Sequence, residues 1–260
     1  PGLPPMWYAT HCVGPVCASG PRKKTPRAIG YENQSRRKAP HANTTPARPC
    51  ICRTGSEKGR LQARKFSWAD RVVVSTDDAE IKSVAEKCGI EVPFLRPKEL
   101  ATDEISVIPA IIHAVKMAES YWKEKYDIVV NLGPTCPLRT TEDIKSTIKM
   151  LVDIPDTDAV FSVSKSHDNP YFNMVEIDGK RYTSISKKGK KFVARRQDAP
   201  EVYAMNGSIY GMWKRILFEK RSFFTDKTRI YVMPKERSVD IDSNFDFELS
   251  EFLMKKQKGK

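Results

Sequence analysis

The sequence has no apolar run approaching the length of a membrane span, and its start lacks the charged-then-apolar order of a signal peptide. An integral or exported protein is therefore not expected. Acidic residues are nearly missing from the first quarter of the chain, where residues 1–66 hold 13 Lys/Arg against 2 Asp/Glu. That stretch carries a net +11, so of the total +13 only +2 is left for residues 67–260. A basic chain invites a nucleic-acid partner, but phosphate binding needs a clustered basic surface, and here the basicity belongs to the leader. Nucleic acid is not the expected partner. Cysteine is also scarce in the body, which has only Cys88 and Cys136. The other four, Cys12, Cys17, Cys50 and Cys52, do not show the paired spacing of a zinc knuckle. A reduced, cytoplasmic protein is expected, with a nuclear location as the alternative if Arg22-Lys23-Lys24 or Arg36-Arg37-Lys38 acts as an address in a eukaryotic cell.

Hydrophobic periodicity is missing from residues 1–66, which also carry 9 of the 18 prolines. Such a composition cannot bury enough apolar surface to offset the entropy of ordering, so most of this leader is expected to be disordered. The remaining 67–260 is long enough for one domain with a substantial core. No internal repeat is present.

From Asp70 the pattern changes. Asp70-Arg71-Val72-Val73-Val74-Ser75 is short and β-branched, as a buried parallel strand should be. Asp77 or Asp78 caps a following helix with Ile81, Val84, Ala85 and Cys88 at helical spacing, and Gly89 closes it. A second helix is carried by Ile108, Ile111, Ile112, Val115 and Ala118, with Pro109 tolerable only near its first turn or as a kink. Asp127 to Leu132 reads as a strand, Thr140 or Thr141 caps a helix with Ile144, Thr147, Ile148 and Leu151 on one face, and Ala159 to Val163 returns as a strand. Alternation of this kind predicts an α/β fold with an open, mostly parallel sheet flanked by helices. Residues 164–205 break the rhythm with β-formers and turns and predict an inserted β-rich arm. Strands at Ser208–Met212 and Arg229–Met233 and a closing helix with Phe245, Leu249, Phe252 and Leu253 complete the reading.

Chemistry concentrates near the C-terminus. Arg195-Arg196-Gln197-Asp198 offers adjacent guanidiniums, each able to present paired donors to a planar carboxylate or phosphate. Val239-Asp240-Ile241-Asp242, if extended, sends both acids to one face and both apolar residues to the other. Two such carboxylates repel each other unless a cation lies between them. On spacing alone, a strand end with solvated acids and a solvated basic hairpin remain open. In open α/β sheets, ligands bind beyond the carboxyl ends of the strands, and the loops after Val74, after Leu132 and around Asp242 are expected to converge there.

From about Ser67 to Lys256 the chain closely resembles the acylneuraminate cytidylyltransferases and their legionaminate and 3-deoxy-manno-octulosonate relatives. The resemblance runs in family order through Val73-Val74-Ser75-Thr76-Asp77-Asp78, Leu95-Arg96-Pro97 with Leu100-Ala101-Thr102-Asp103, Pro134-Thr135-Cys136-Pro137-Leu138-Arg139, the Arg-Arg-Gln-Asp string and the final Asp-Ile-Asp. It implies a Rossmann-like fold of the nucleotide-diphospho-sugar transferase type. The implied activity is transfer of CMP from CTP to an acidic nine-carbon 2-keto sugar, with release of pyrophosphate. Asp240 and Asp242 would hold Mg²⁺, and with Arg196 they form the implied catalytic group. Ser75, Asp77, Arg96, Thr102 and Asp103 would line the nucleotide side, with Thr102-Asp103 opening a helix. Pro134, Thr135, Arg139, Lys165, Arg195, Arg196, Gln197, Asn206 and Ser208 would meet the sugar. The family is dimeric, and the arm would supply the contact between subunits.

The match departs from the family in two places. Relatives usually carry Gln immediately before the Pro-Thr pair, where this chain has Gly133. The family also begins with an apolar strand and a glycine-rich loop that wraps triphosphate with backbone N–H groups, Arg and Lys. Arg53-Thr54-Gly55-Ser56-Glu57-Lys58-Gly59 imitates that loop with one extra acid, so Arg53, Gly55, Ser56 and Lys58 are its candidate phosphate contacts. Pro46-Ala47-Arg48 offers a rival alignment. No apolar strand precedes the loop and no helix follows it, which points to a shifted reading frame or a misplaced start. Low stability and reduced or absent CTP turnover are expected. Two alternatives stand beside this reading: a nucleotidyltransferase acting on a sugar-1-phosphate, against which the Arg-Arg pair argues, and a non-catalytic protein binding through its basic tail.

Overall fold

A computed structural model describes residues 28–33, 69–102, 104–189 and 193–258. Eight strands and five helices are seen among them. β1 is Ala28–Asn33, β2 Arg71–Ser75, β3 Ile128–Leu132, β4 Ala159–Lys165, β5 Val175–Ile177, β6 Thr183–Ile185, β7 Tyr203–Trp213 and β8 Thr228–Val232. The helices are α1 Ala79–Lys87, α2 Val107–Trp122, α3 Thr141–Asp153, α4 Lys214–Lys220 and α5 Asn244–Lys258. Six strands form one sheet in the order β2-β1-β3-β7-β4-β8. All run the same way except β7, which pairs antiparallel with both β3 and β4. The α/β expectation holds.

Strand alternation sends side chains to two layers. On one face Val73, Val129, Ala159 and Met212 pack with Ile108, Ile111, Val115 and Ala118 of α2 and Ile216 and Leu217 of α4. On the other, Ile128, Val130, Leu132, Val160 and Ile209 meet Ile144, Ile148 and Leu151 of α3. Val74 packs there with Ala85 of α1, Ile90 and Val92. A fully buried side chain of this kind stabilises by about 1.5–3 kcal/mol relative to exposure, so these two layers hold the sheet.

Helix starts follow local chemistry. Asp78 caps α1 by accepting from the Glu80 and Ile81 amides, and Gly89 follows with φ +82°. Thr140 caps α3 in a reciprocal capping box with Asp143. Pro109 falls in the first turn of α2, where its missing N–H costs nothing.

One expectation needs correction. A strand does precede Arg71–Ser75: Ala28–Asn33 lies between β2 and β3 and is parallel to both. The central slot presents unpaired N–H and C=O groups on each side, and main-chain pairing satisfies them with little demand on sequence. Gly30 and Glu32 interrupt the apolar pattern that would have revealed it. The expected closing helix is present as α5. Phe245 and Phe252 are 73% and 63% exposed and Leu249 is exposed too, whereas Ser250 and Met254 are buried. Its rotation is set at its start, where the Asp246 carboxylate accepts from the Ser243 amide and hydroxyl.

The β-rich arm is present between β4 and β7. β5 and β6 form an antiparallel hairpin, and Met174, Val175, Ile177 and Tyr182 on it face solvent. Its base is tied by the Ser166 amide donating to the Val202 carbonyl.

Candidate functional site

Beyond the end of β3 the chain turns through Gly133–Arg139, and this loop is pressed against β7. The Gly133 amide donates to the Ser208 carbonyl at 2.9 Å. A Cβ on Gly133 would stand 2.1 Å from the Gly207 carbonyl oxygen, so a glutamine there, as the resemblance leads one to expect, has no room on this backbone. Arg139 folds back and donates to the Gly133 and Cys136 carbonyls at 2.6 and 2.8 Å. It fastens its own loop, as does Cys136, whose thiol donates to the Asn206 carbonyl at 3.0 Å. Burial pushes that thiol up to about 12, and the charge of Asp240 adds to the shift while Arg139 opposes it. Cys136 therefore stays protonated and unreactive at neutral pH.

The acidic segment closes over this loop. The Ile241 amide donates to the Thr135 carbonyl at 2.9 Å, and Ile241 is buried. No regular strand forms at residues 239–242, so the two acids are not equivalent: Asp240 is half-buried and Asp242 exposed. Asp240 lies against Gly207, whose φ is +66° and whose missing Cβ would stand 3.0 Å from Asp240 Oδ2. Asp240 Oδ1 is buried and has no hydrogen-bond partner. A carboxylate oxygen in that state is costly unless a cation or donor reaches it.

Asn206 is buried and fully used. Its Oδ1 accepts from the Ser162 hydroxyl at 2.6 Å and the Ser208 amide at 3.2 Å, while its Nδ2 donates to Ser238 Oγ at 3.0 Å and Met233 Sδ at 3.4 Å. An amide side chain has four such bonds to give, and all four of Asn206 go to protein groups. Ser208 remains available, because its hydroxyl is buried without a hydrogen-bond partner. The Ser75 hydroxyl and Asn131 Oδ1 are in the same state. By strand parity Ser75, Asn131, Ser208 and Tyr210 share the sheet face of Val73, Val129 and Met212. Tyr210 lies near Cys136 and Asp240, and its phenol is raised by burial and by those two groups. Asn131 and Tyr210 were missed in the sequence; a polar residue inside the otherwise apolar Ile-Val-Val-Asn-Leu strand was the available signal.

On the expected nucleotide side, Arg96 is buried, its amide donates to the Thr76 carbonyl at 2.8 Å and its guanidinium reaches Asp77 at 3.3 Å. These three thus meet at the end of β2. Thr102 does not open a helix: it is exposed in a turn, and α2 begins after Ser106. The backbone closes that turn by the Ile105 amide donating to the Thr102 carbonyl. Asp103, Arg53, Gly55, Ser56 and Lys58 lie outside the described residues.

The Arg-Arg string does not meet the acids within the chain. Arg195 forms a bidentate pair with Asp198 at 2.7 and 3.1 Å. Arg196 donates to the His167 carbonyl and stacks over Phe172, 5.5 Å from its centroid. Both are exposed on the arm and neither makes a hydrogen bond or ion pair with Asp240 or Asp242. Gln197 is exposed in the short turn of 3₁₀ helix Arg196–Asp198. Lys165, at the end of β4, pairs with Glu201 at 2.7 Å. The structure thus brings together Pro134, Thr135, Arg139, Asn206, Ser208 and Asp240, and sets Lys165, Arg195, Arg196 and Gln197 on the arm. Among the described residues, no helix is long and apolar enough to cross a membrane, and no group of three or more His, Cys, Asp or Glu side chains forms a metal cluster.

Comparison with known proteins identifies the family and the fold. Residues 61–258 match the family model described as cytidylyltransferase. The chain is 33% identical over 198 residues to post-translational flagellin modification protein B of Campylobacter coli, covering 76% of this chain and 82% of that one. It is 36% identical over 194 residues to the CMP-N,N'-diacetyllegionaminic acid synthase of Campylobacter jejuni, covering 75% and 81%. Its fold is similar to a CMP:2-keto-3-deoxy-manno-octonic acid synthetase solved with CTP, with a TM-score of 0.56 at 14% identity, covering 89% of this chain and 99% of that one. β1 lies outside the matched residues and the whole site apart from the candidate phosphate loop lies inside them. The chain belongs to the cytidylyltransferase family and is a nucleotidyltransferase.

Proposed function

We propose that this protein transfers CMP from CTP to an acidic nine-carbon 2-keto sugar, forming a CMP-sugar and pyrophosphate. The observation that carries the reading is Asp240 Oδ1, a buried carboxylate oxygen without a hydrogen-bond partner, held beside the 133–139 loop beyond the carboxyl ends of the strands. Similarity to the Campylobacter jejuni legionaminate synthase puts N,N'-diacetyllegionaminate first among the acceptors.

The donor set fits Mg²⁺. Asp240 and Asp242 supply hard carboxylate oxygens, and with only two acids the remaining positions suit phosphate and water oxygens. When bound, such an ion neutralises charge on the nucleotide phosphates and the departing pyrophosphate. The chain itself positions the reactants. Ser75, Asp77 and Arg96 bound the nucleotide side, and the unpartnered Ser208 hydroxyl and the Pro134-Thr135 backbone bound the acceptor side. The sugar's anomeric hydroxyl attacks the α-phosphate in line, and no side-chain nucleophile is needed.

The arm serves a second copy of the chain. Its apolar residues Val175, Ile177 and Tyr182 are exposed, and its guanidiniums do not reach the acids of their own subunit. In a homodimer Arg195, Arg196, Gln197 and Lys165 would grip the sugar carboxylate in the neighbouring site. Turnover is reduced relative to relatives, because Glu57 places an extra negative charge in the loop that should meet triphosphate. The test is pyrophosphate release from CTP, and from UTP in parallel, with N,N'-diacetyllegionaminate, N-acetylneuraminate, 3-deoxy-manno-octulosonate and a sugar-1-phosphate. Release with CTP and a nine-carbon 2-keto acid supports the proposal; release only with 3-deoxy-manno-octulosonate or the sugar-1-phosphate, or none with any acceptor, overturns it.

A further inference from the structure

Asp240 has a directional task, yet its Oδ1 has no hydrogen bond to aim it. Beyond the hydrogen bond between its side chain and the Cys136 thiol, its direction depends on what holds the backbone on either side. Besides local turn and cap bonds, three ties to other parts of the fold bracket it: Ile241 to the Thr135 carbonyl, Ser238 to Asn206, and Arg237 to Asp143. The first two are single neutral hydrogen bonds. The third is of another kind.

Asp143 is fully buried in the first turn of α3. Arg237 grips it with two parallel bonds, Nε to Oδ2 at 2.9 Å and an Nη to Oδ1 at 2.7 Å. The Thr140 amide and hydroxyl each donate to Oδ2 at 2.7 Å, and the Tyr231 hydroxyl donates to Oδ1 at 3.1 Å. Five donors on two oxygens satisfy the carboxylate, which is the condition for a buried ion pair to be held in one geometry. Its two ends also sit where register matters. Thr140 directly follows Arg139, the last residue of the 133–139 loop, and Arg237 stands three residues before Asp240. A planar fork on a planar carboxylate fixes distance and angle together, which an ammonium group in the same place does not.

We propose that the Asp143–Arg237 pair is the positioning element of the site, setting the register of the acidic segment against the 133–139 loop so that Asp240 is aimed at the cation. The pair touches no reactant and acts through Asp240. This deepens the cytidylyltransferase reading and rests on Asp240 as a cation ligand.

The test uses Arg237→Lys, which keeps the charge and loses the fork. The first readout is site-resolved labelling of cysteines by a thiol reagent in the full-length protein. Cys136 lies inside the loop and is buried, whereas Cys88 lies at the end of α1. Releasing the register should speed Cys136 labelling about 10-fold, with Cys88 labelling and the melting midpoint little changed. The second readout is Mn²⁺ binding, followed by electron paramagnetic resonance with CTP present and sugar omitted, which should weaken about 10-fold as for other residues that orient a metal ligand. Unchanged Cys136 labelling, equal acceleration of Cys88, or unchanged Mn²⁺ affinity in the variant overturns the proposal. If wild-type protein binds no Mn²⁺ while the variant still exposes Cys136, the cation reading fails and the register role stands. Should Arg237→Lys not fold, the neutral pair Asp143→Asn with Arg237→Gln leaves no uncompensated buried charge and takes its place with the same readouts.

Discussion

Gly133 and Gly207 approach so closely that a Cβ on the first would stand 2.1 Å from the carbonyl oxygen of the second. The contact joins the loop after β3 to β7, and Gly207 in turn leaves room for Asp240 Oδ2. Three chain segments therefore meet through two missing side chains.

Replacing Gly133 with alanine or with the glutamine usual among relatives should force these segments apart. Overpacking of this kind costs about 1–3 kcal/mol. Urea denaturation should show the loss for both Gly133→Ala and Gly133→Gln, together with lower CTP turnover. A glutamine variant as stable as the parent would mean that β7 moves freely away from the loop.

Asp240→Asn should separate stability from function. Oδ1 has no hydrogen bond to lose, so the urea midpoint should stay the same or rise. Pyrophosphate release should fall by about 10²-fold or more, the scale on which removal of one electrostatic stabiliser acts. Raising Mg²⁺ should not restore it. Normal turnover in this variant would remove Asp240 from the site.

The two arginines of the arm should differ from Asp240 in the parameter they change. Both are exposed, and Arg195 already pairs with Asp198. Arg196→Ala should raise the KM for the acidic sugar and leave the KM for CTP near its parent value, with little effect on stability. Mixing Arg196→Ala subunits with Asp240→Asn subunits should restore sugar-dependent pyrophosphate release if one subunit's arm completes its partner's site. No restoration, with mixed dimers demonstrated, would return the arm to its own chain.

Asp143 sets an acid limit on stability. Burial pushes its carboxyl up, but the hydrogen bonds from Arg237 and Thr140 outweigh burial and hold it below the ordinary carboxylate value. A group lowered on folding stabilises above its unfolded pKa, about 3.9 for aspartate, and that contribution is lost as pH falls through the folded value. Melting followed from pH 6 down to pH 3 should therefore show a steeper acid decline in the parent than in Asp143→Asn, which starts lower and changes less. Parallel declines would show that other carboxylates set the acid limit.

Much of the fold was legible because its cause is local. The caps at Asp78 and Thr140, the apolar faces of α2 and α3 and the Val-rich strand at 71–75 are each written in a few adjacent residues. α5 shows where this fails. Its Phe245, Leu249 and Phe252 stripe marked a helix correctly but not its buried face, since the capping at Ser243 and Asp246 and the burial of Ser250 and Met254 decide how it is turned. The strand Ala28–Asn33 was hidden for a related reason: main-chain pairing in a central slot asks little of the side chains.

The site divides in the same way. Motif order identified the family and singled out the loop at 133–139 and the acids at 240 and 242 as candidates, because residue types and spacing carry that information. Tertiary contacts decided what each residue does. Asn206 uses its amide on four protein groups, and Arg139 turns one guanidinium nitrogen onto two carbonyls of its own loop. The sequence alone established a cytidylyltransferase sheet and the residues gathered near its carboxyl ends. Only the folded chain decided that Asp240 keeps a buried oxygen unpaired while Arg195 and Arg196 turn to partners on the arm, because hydrogen-bond saturation depends on distance in space and spacing along the chain does not report it.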